Sequence, residues 1–415
     1  MKVLWLTNIK PGFVCQMDGT ERNPFGGWLD DMGQKLISSG IDSFIAVYPG
    51  KKKSNVSSDE LVTYEFVETD DNVAYFQKIL NDQKPNLIHI WGTEFIHSCQ
   101  MFDAARNLNM ESHTLVSIQG LLSVIKYHWY GGLPESITSK RSLIDFIVGR
   151  KSLQGQRKSL QIRFESEERV LKNCYHIIGR TRWDHACVKL INPTAKYYFC
   201  NESLRNGFYH EKWEYDKCEK YSILTGSWGN PIKGLHNIVY AVELLKEKYP
   251  DIKVYVCGRN PYKTEYIRLN SYERFVRKLI KEKKLESVFC FLGLQNENEM
   301  CNIFKRANVY VNSSAIENSS NTIGEAMIVG TPCVISDVGG AHDMVKDGLE
   351  GFIYPYDEFY MMAYYVDQIF SSRKLSESMS SSGRAHALER HDRDKNFIRL
   401  MEIYRDISVN TPNID

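Results

Sequence analysis

Residues 315–332 read AIENSSNTIGEAMIVGTP, which sets Glu317 and Glu325 eight positions apart around a run of small polar residues. A carboxylate accepts from both hydroxyls of a vicinal diol at once, so two of them suit a ligand that carries two such groups. Ser320, Asn321 and Thr322 fall where helical periodicity begins, and free N–H groups at the positive end of a helix dipole attract phosphate. One glutamate on a ribose, one on a sugar and a diphosphate between them would make a nucleotide-sugar site. Taken as an isolated pair, the two read more simply as solvated residues, because acidic side chains favour helix N-termini anyway.

The elements that would position them follow from hydrophobic patterning. Short apolar runs alternate with longer amphipathic ones, the pattern of βα units that build parallel sheets. In the first half VLWLTN, SFIAVY, NLIHIWG, TLVSIQG, YHIIGR and KYYFCN read as strands; in the second, YSILTG, IKVYVCG, VFCFLG, NVYVNSS and TPCVISDVGG do. HNIVYAVELLKEKY, NENEMCNIFKRA and NTIGEAMIVG read as helices between them. Two doubly wound halves joined near KWEYDKCEK, residues 212–220, are the natural parse. RDKNFIRLMEIYRDI forms a last amphipathic helix that either half could receive.

Composition narrows the class. At 415 residues two domains are expected, and a formal net charge of +1 gives no global attraction to nucleic acid. Ten cysteines without C-x-x-C pairs argue against zinc and against a disulfide scaffold. The N-terminal apolar run stops at Thr7 and Asn8, too soon for a signal peptide or a membrane span, so a cytoplasmic protein is expected. The first strand lacks a following G-x-G-x-x-G, which weighs against a NAD-dependent dehydrogenase.

The E-x7-E pair followed by EAMIVGTPCVISDVGGAHDMVKDGLEGFIYP, the KG of GSWGNPIKG and the block FLGLQNENEMCNIFKRANVYVNSS together resemble family 4 of the retaining glycosyltransferases. The resemblance covers residues 221–355; in the N-terminal half it rests on KVLWLTN, NPFGGW and NLIHIWGTE. It implies an α/β protein of GT-B fold, two Rossmann-like doubly wound domains facing a central cleft. These would be an acceptor-side domain over 1–215, a nucleotide-sugar-binding domain over 216–390, and a final helix, 391–415, able to pack back on the first. By motif position Glu325 would hold the ribose and Glu317 would face the donor sugar. Backbone of Asn318, Ser319 and Ser320 would line the sugar, and that of Asn321 and Thr322 the diphosphate. Lys233 would reach diphosphate oxygens, Gly26 and Gly27 would bring backbone close to the donor, and Leu294 would contact the base.

Two positions depart from the family pattern. Where members carry a second diphosphate cation, an arginine, this chain has Ser227, and Arg259 at the end of the next strand is the nearest substitute. Where many have a histidine, it has Gln119, which can bond a sugar but cannot act as an acid. His89 reads as a core residue, near Glu94. No metal site is expected, since Asp392 and Asp394 form a literal D-x-D in a solvated run far from the motif. The function implied is retaining, metal- and cofactor-independent transfer from a UDP- or GDP-sugar to a glycan, lipid-linked or other hydroxyl in bacterial polysaccharide or glycoconjugate assembly. The competing class is a nucleotide-sugar or glycan-binding protein of the same fold without turnover.

Residues 139–164 are strongly basic, with Lys140, Arg141, Arg150, Lys151, Arg157, Lys158 and Arg163 against the single acid Asp145 and interleaved Leu143, Ile144, Phe146, Ile147 and Val148. The stretch can lie on an anionic membrane at the inner face, or pack its apolar residues on the N-terminal domain with a solvated cationic rim.

Overall fold

The computed structural model describes residues 1–21, 26–57, 61–69, 71–139, 141, 143–147, 149, 152–226 and 228–410. Ser227, Lys140, Val148, Arg150 and Lys151 lie outside the described residues. The chain divides into two units, the first built from Met1–Val124, Gln161–Arg205 and the segment from His391 onward, the second from Ile125–Leu160 and Asn206–Arg390.

The first unit holds β1 (Lys2–Leu6), β2 (Ser43–Pro49), β3 (Ser54–Ser57), β4 (Leu61–Phe66), β5 (Leu87–Trp91), β6 (Thr114–Ser117), β7 (His176–Gly179) and β8 (Lys196–Phe199). Their order is β3-β4-β2-β1-β5-β6-β7-β8, parallel except for β3 against β4. The central strands β1, β2, β5 and β6 are buried at nearly every position and mostly apolar because both faces are covered. Alternate residues go to opposite sides: Leu4, Leu6, Ile45, Ile88 and Ile90 enter one cluster, Val3, Trp5, Phe44, Ala46 and Leu87 the other. The six runs read as strands in this half are all strands; β3 and β4 are additional, and β3 is a short polar edge with no apolar run to betray it.

The final helix, Arg393–Asn410, closes the second of those faces with Leu400, Met401, Ile403, Tyr404 and Ile407, each such side chain gaining about 1.5–3 kcal/mol over exposure. Trp5 Nε1 donates to Tyr404 Oη at 2.8 Å. His89 sits beneath, 2.6 Å from Tyr404 Oη and 2.7 Å from Ser117 Oγ, and burial drives its pKa well below the usual imidazole value, so it is a neutral core histidine.

The second unit holds β9 (Glu219–Thr225), β10 (Lys253–Cys257), β11 (Phe289–Gly293), β12 (Ala307–Asn312), β13 (Cys333–Asp337) and β14 (Phe352–Pro355), parallel throughout in the order β11-β10-β9-β12-β13-β14. Strand order reverses between β9 and β12. In open α/β sheets a ligand binds outside the carboxyl ends of the strands at such a point.

The 1–215 boundary expected from the sequence differs from the observed division at residues 206–215, which open the main body of the second unit, and at residues 125–160, which depart from the first unit and pack within the second. Three contacts explain the latter difference. Leu153 is buried in the core around Ile223 and Ile238; His236 Nε2 lies 3.1 Å from Gly131 O; and Asp145 forms a buried ion pair with Arg274 while Ser271 Oγ donates to it at 3.3 Å. All ten cysteines are thiols without disulfide partners. Among the described residues no helix is long and apolar enough to cross a membrane.

Candidate functional site

After β9 the chain turns through Pro231–Lys233, with the Asn230 side chain accepting from Ile232 N, and reaches Gly234 at φ 65°. A Cβ at Gly234 would stand 1.8 Å from Ser313 O, so a side chain is excluded where this turn meets the end of β12. Ala315 N donates to Ile232 O at 2.6 Å and Ser313 Oγ to Lys233 O at 3.0 Å. The carboxyl ends of the two central strands are therefore sewn together, and Lys233 and Glu317 meet across the seam.

Lys233 Nζ donates to Glu317 Oε1 at 2.6 Å, and the same oxygen accepts from Ser314 Oγ at 2.7 Å. The lysine is 38% exposed and the glutamate 14%, so the ammonium is oriented by its partner yet reachable from solvent. Gly340 N, after β13, donates to Glu317 O at 3.0 Å and fixes that loop from the other side. The helix Asn321–Val329 starts one loop later; its N-cap Ser320 is extended and provides no side-chain hydrogen bond, leaving the first-turn N–H groups for a ligand. Gly226, Lys233, Tyr310, Glu317, Ser320 and Thr322 line a cavity of about 50 Å³, room for one or two waters. An ammonium, helix N–H groups and several hydroxyl-bearing residues around one small polar cavity can hold the oxygens of a phosphate group.

Around this centre Glu325 is 4% exposed in the 321–329 helix, and Asn318 and Ser319 are 5% and 8% exposed. Arg390 ties the loop down, its Nη2 donating to Ser319 Oγ at 3.2 Å and Nη1 to Asp343 O at 3.1 Å. Leu294, directly after β11, is exposed. Arg259 does not line the cavity; its guanidinium lies 3.7 Å from Glu273 and donates to Arg268 O at 3.4 Å. Asp392 and Asp394 have structural roles: Asp392 Oδ1 caps the final helix by accepting from Asp394 N and Lys395 N, and Asp394 pairs with Lys35.

The remaining candidates belong to the first unit. Gly26, at φ 84°, caps the helix Gly27–Ser38, and a Cβ there would stand 2.0 Å from Ile9 Cδ1, which accounts for a glycine on steric grounds. Gln119 donates its amide to the Glu202 carboxylate, which is in a buried ion pair with Arg180 at 2.6 Å. Burial raises the Glu202 carboxyl and Arg180 draws it back.

Sequence reasoning passed over Ser314, Arg390 and Gly340, which orient the Glu317 loop; only the glycine pair of DVGG hinted at the last. It also passed over Glu167, on the helix Gln161–Asn173, whose carboxyl accepts from Thr93 Oγ1 at 2.6 Å, Ser123 N at 2.7 Å and Ser123 Oγ at 2.9 Å. Burial pushes its pKa up to about 7. A carboxyl raised in the folded state adds nothing to stability below the unfolded value near 4.5 and lowers it as pH climbs to about 7, by at most roughly 3 kcal/mol. Glu167→Gln is therefore expected to raise the melting temperature at pH 8 and to be near neutral at pH 4.5; a gain that did not grow with pH would contradict it.

Residues 209–386 match the family model described as glycosyl transferases group 1. The chain is 28% identical over 178 residues to D-inositol 3-phosphate glycosyltransferase of Corynebacterium urealyticum, covering 42% of this chain and 41% of that protein. It is 26% identical over 198 residues to the capsular polysaccharide biosynthesis glycosyltransferase CapM of Staphylococcus aureus, 43% and 47% of the two chains. The matches thus span less than half the length of these curated relatives. Among solved structures, sucrose-phosphate synthase from Thermosynechococcus elongatus superposes with a TM-score of 0.72 at 14% identity, covering 99% of this chain and 100% of that one. HepE of Anabaena in complex with UDP-glucose gives 0.68 at 14% identity, covering 98% and 100%. Two parallel-sheet units of this order share the GT-B fold of those structures, and the match to the group 1 glycosyl transferases, residues 209–386, falls within the second unit.

Proposed function

We propose that the protein is a retaining, metal-independent glycosyltransferase that moves a sugar from a UDP- or GDP-sugar to an acceptor hydroxyl in polysaccharide or glycoconjugate assembly. The observation that carries this is the Lys233–Glu317 pair at the switch point between β9 and β12, facing the uncapped start of the 321–329 helix. Breaking the anomeric C–O bond builds negative charge on the departing diphosphate and positive charge on the sugar ring. Lys233 and the helix N–H groups neutralise the first, and Glu317 lies where it can face the second. HepE, solved with UDP-glucose, makes uridine the first base to try.

The test is release of nucleoside diphosphate from a panel of UDP- and GDP-sugars, with and without acceptor. Thermal stabilisation by nucleotide without release would instead support the binding protein. Because Lys233 and the helix N–H groups supply the positive charge for the diphosphate on this reading, EDTA is expected to leave turnover within about twofold; loss of activity restored by a divalent ion would overturn metal independence.

A peripheral contact with anionic lipid at the cytoplasmic face completes the proposal. Phe146 and Ile147 are 73% and 76% exposed, Arg141 stacks over Phe146, and the stretch's one acid, Asp145, is turned inward to Arg274. The exposed face is thereby left apolar and basic, although Arg157 spends its Nε on Lys126 O. Binding to vesicles with anionic lipid should fall with salt, at about 1 kcal/mol per near-surface cation. Reversal of Arg150, Lys151, Arg157 and Lys158 to glutamate should abolish it without changing nucleotide affinity. Indifference of the native protein to such vesicles at low ionic strength would remove the membrane from the proposal.

A further inference from the structure

A second cavity, of about 270 Å³, lies wholly within the first unit, lined by Glu68, Thr69, Phe95, His97, Gln100 and Arg163. That is near the lower end of small-ligand sites, roughly 300 Å³. Its position follows from topology. Glu68 and Thr69 come just after β4 and Phe95 to His97 just after β5, while Asn8, just after β1, reaches His97 Nε2 at 3.0 Å. Strand order reverses between β1 and β5, so this is the ligand-binding edge of the sheet.

The chemistry of the lining is specific. Arg163 donates its Nε to Glu94 O and lays its guanidinium 4.7 Å over the Phe95 ring, whose plane is in turn set by stacking on His97 at 5.2 Å. Ring and carbonyl fix the guanidinium, and no acidic side chain pairs with it among the described residues, so its two terminal nitrogens are left for the cavity. A fixed fork of two N–H donors matches two oxygens of a phosphate. The other walls want the opposite. Glu68 accepts a hydrogen bond from His97 Nδ1–H on one oxygen and keeps the second as an acceptor, and Thr69 donates its hydroxyl to Asn72 Oδ1, which leaves its oxygen accepting. Those acceptors repel a bare anion and welcome hydroxyl donors. A ligand carrying both an anionic group and hydroxyls satisfies the whole cavity.

We infer that this cavity is the acceptor subsite and that it takes a phosphate-bearing sugar or polyol, the phosphate on Arg163 and hydroxyls on Glu68 and Thr69. The assignment as acceptor rests on the proposed transferase activity; the binding chemistry does not. That phosphate can belong to a soluble sugar phosphate or to a lipid headgroup, and two arms of one experiment separate them.

In the first, the full chain is titrated calorimetrically with glucose 6-phosphate, glucose and inorganic phosphate. Glucose 6-phosphate is expected to bind at least tenfold more tightly than either of the others. Arg163→Gln should lose at least tenfold, Arg163→Lys an intermediate amount, and Glu68→Gln should hold or gain affinity for inorganic phosphate; melting temperature and UDP affinity serve as checks that each variant is folded. In the second arm, vesicles of phosphatidylcholine with or without phosphatidylinositol replace the sugar. Binding that needs phosphatidylinositol and falls tenfold in Arg163→Gln assigns the phosphate to the lipid. Equal affinity for glucose and glucose 6-phosphate with no Arg163-dependent vesicle binding, or no binding in either arm, overturns the subsite. Arg163-dependent binding in a protein that releases no nucleoside diphosphate from any donor would keep the subsite and sink the transferase reading instead.

Discussion

Lys233→Ala is expected to lower turnover by about 10²–10³-fold, the effect of deleting one donor aimed at charge that develops in a transition state. Its ammonium also meets the ground-state diphosphate, so nucleoside diphosphate affinity should fall as well, by the roughly 1.5–3 kcal/mol of a charged hydrogen bond. Glu317→Ala separates the two effects. The glutamate orients Lys233 through the 2.6 Å bond but is expected to face the sugar, so its loss should spare the affinity for free nucleotide and cut turnover. As a contribution to folding the pair counts for little, because Lys233 is 38% exposed and such pairs are worth about 0–1 kcal/mol. Steady-state kinetics beside calorimetry with UDP and GDP decides the matter. If both variants bind nucleotide and turn over like the native protein, the switch-point site is misassigned.

What could be read from the sequence was whatever obeys a local rule. Buried parallel strands are continuous apolar runs, so the sheets of both units were legible except at SNVS, an exposed polar edge, at its partner β4, and at the short edge strand β14. Glu317, Lys233 and the helix start at Asn321 were legible because strand-end loops and helix N-termini carry their own signals. The rest depends on contacts far apart in the chain. Nothing in the order of residues announces that Arg390 bonds Ser319, or that Arg163 and Glu167, one turn apart on a helix, address loops after β5 and β6. The lopsided charge of residues 139–164 was legible, but not the partner of its one acid. Asp145 looked like the weak negative term in a basic stretch, whereas it anchors that stretch to the second unit.

That anchor carries a large expected effect on stability. The Asp145 and Arg274 side chains are 1% and 7% exposed, and Arg274 also donates to Leu269 O. Asp145→Ala removes the counter-charge and leaves a guanidinium buried without it, which costs about 3–5 kcal/mol where a buried pair is broken from one side. For a unit of this size each kcal/mol moves the melting temperature by about 2–4 °C, so calorimetry should show one transition lowered by roughly 10 °C. Replacing both partners with apolar residues of similar volume, Asp145→Leu with Arg274→Met, should return most of the loss, because the cost lies in the stranded charge and not in the missing attraction. A double variant no better than the single one would mean that residues 125–160 are held chiefly by Leu153 and the Gly131–His236 bond. A shift below about 2 °C in the single variant would mean that the pair is solvated and that residues 139–160 are held only loosely to the second unit.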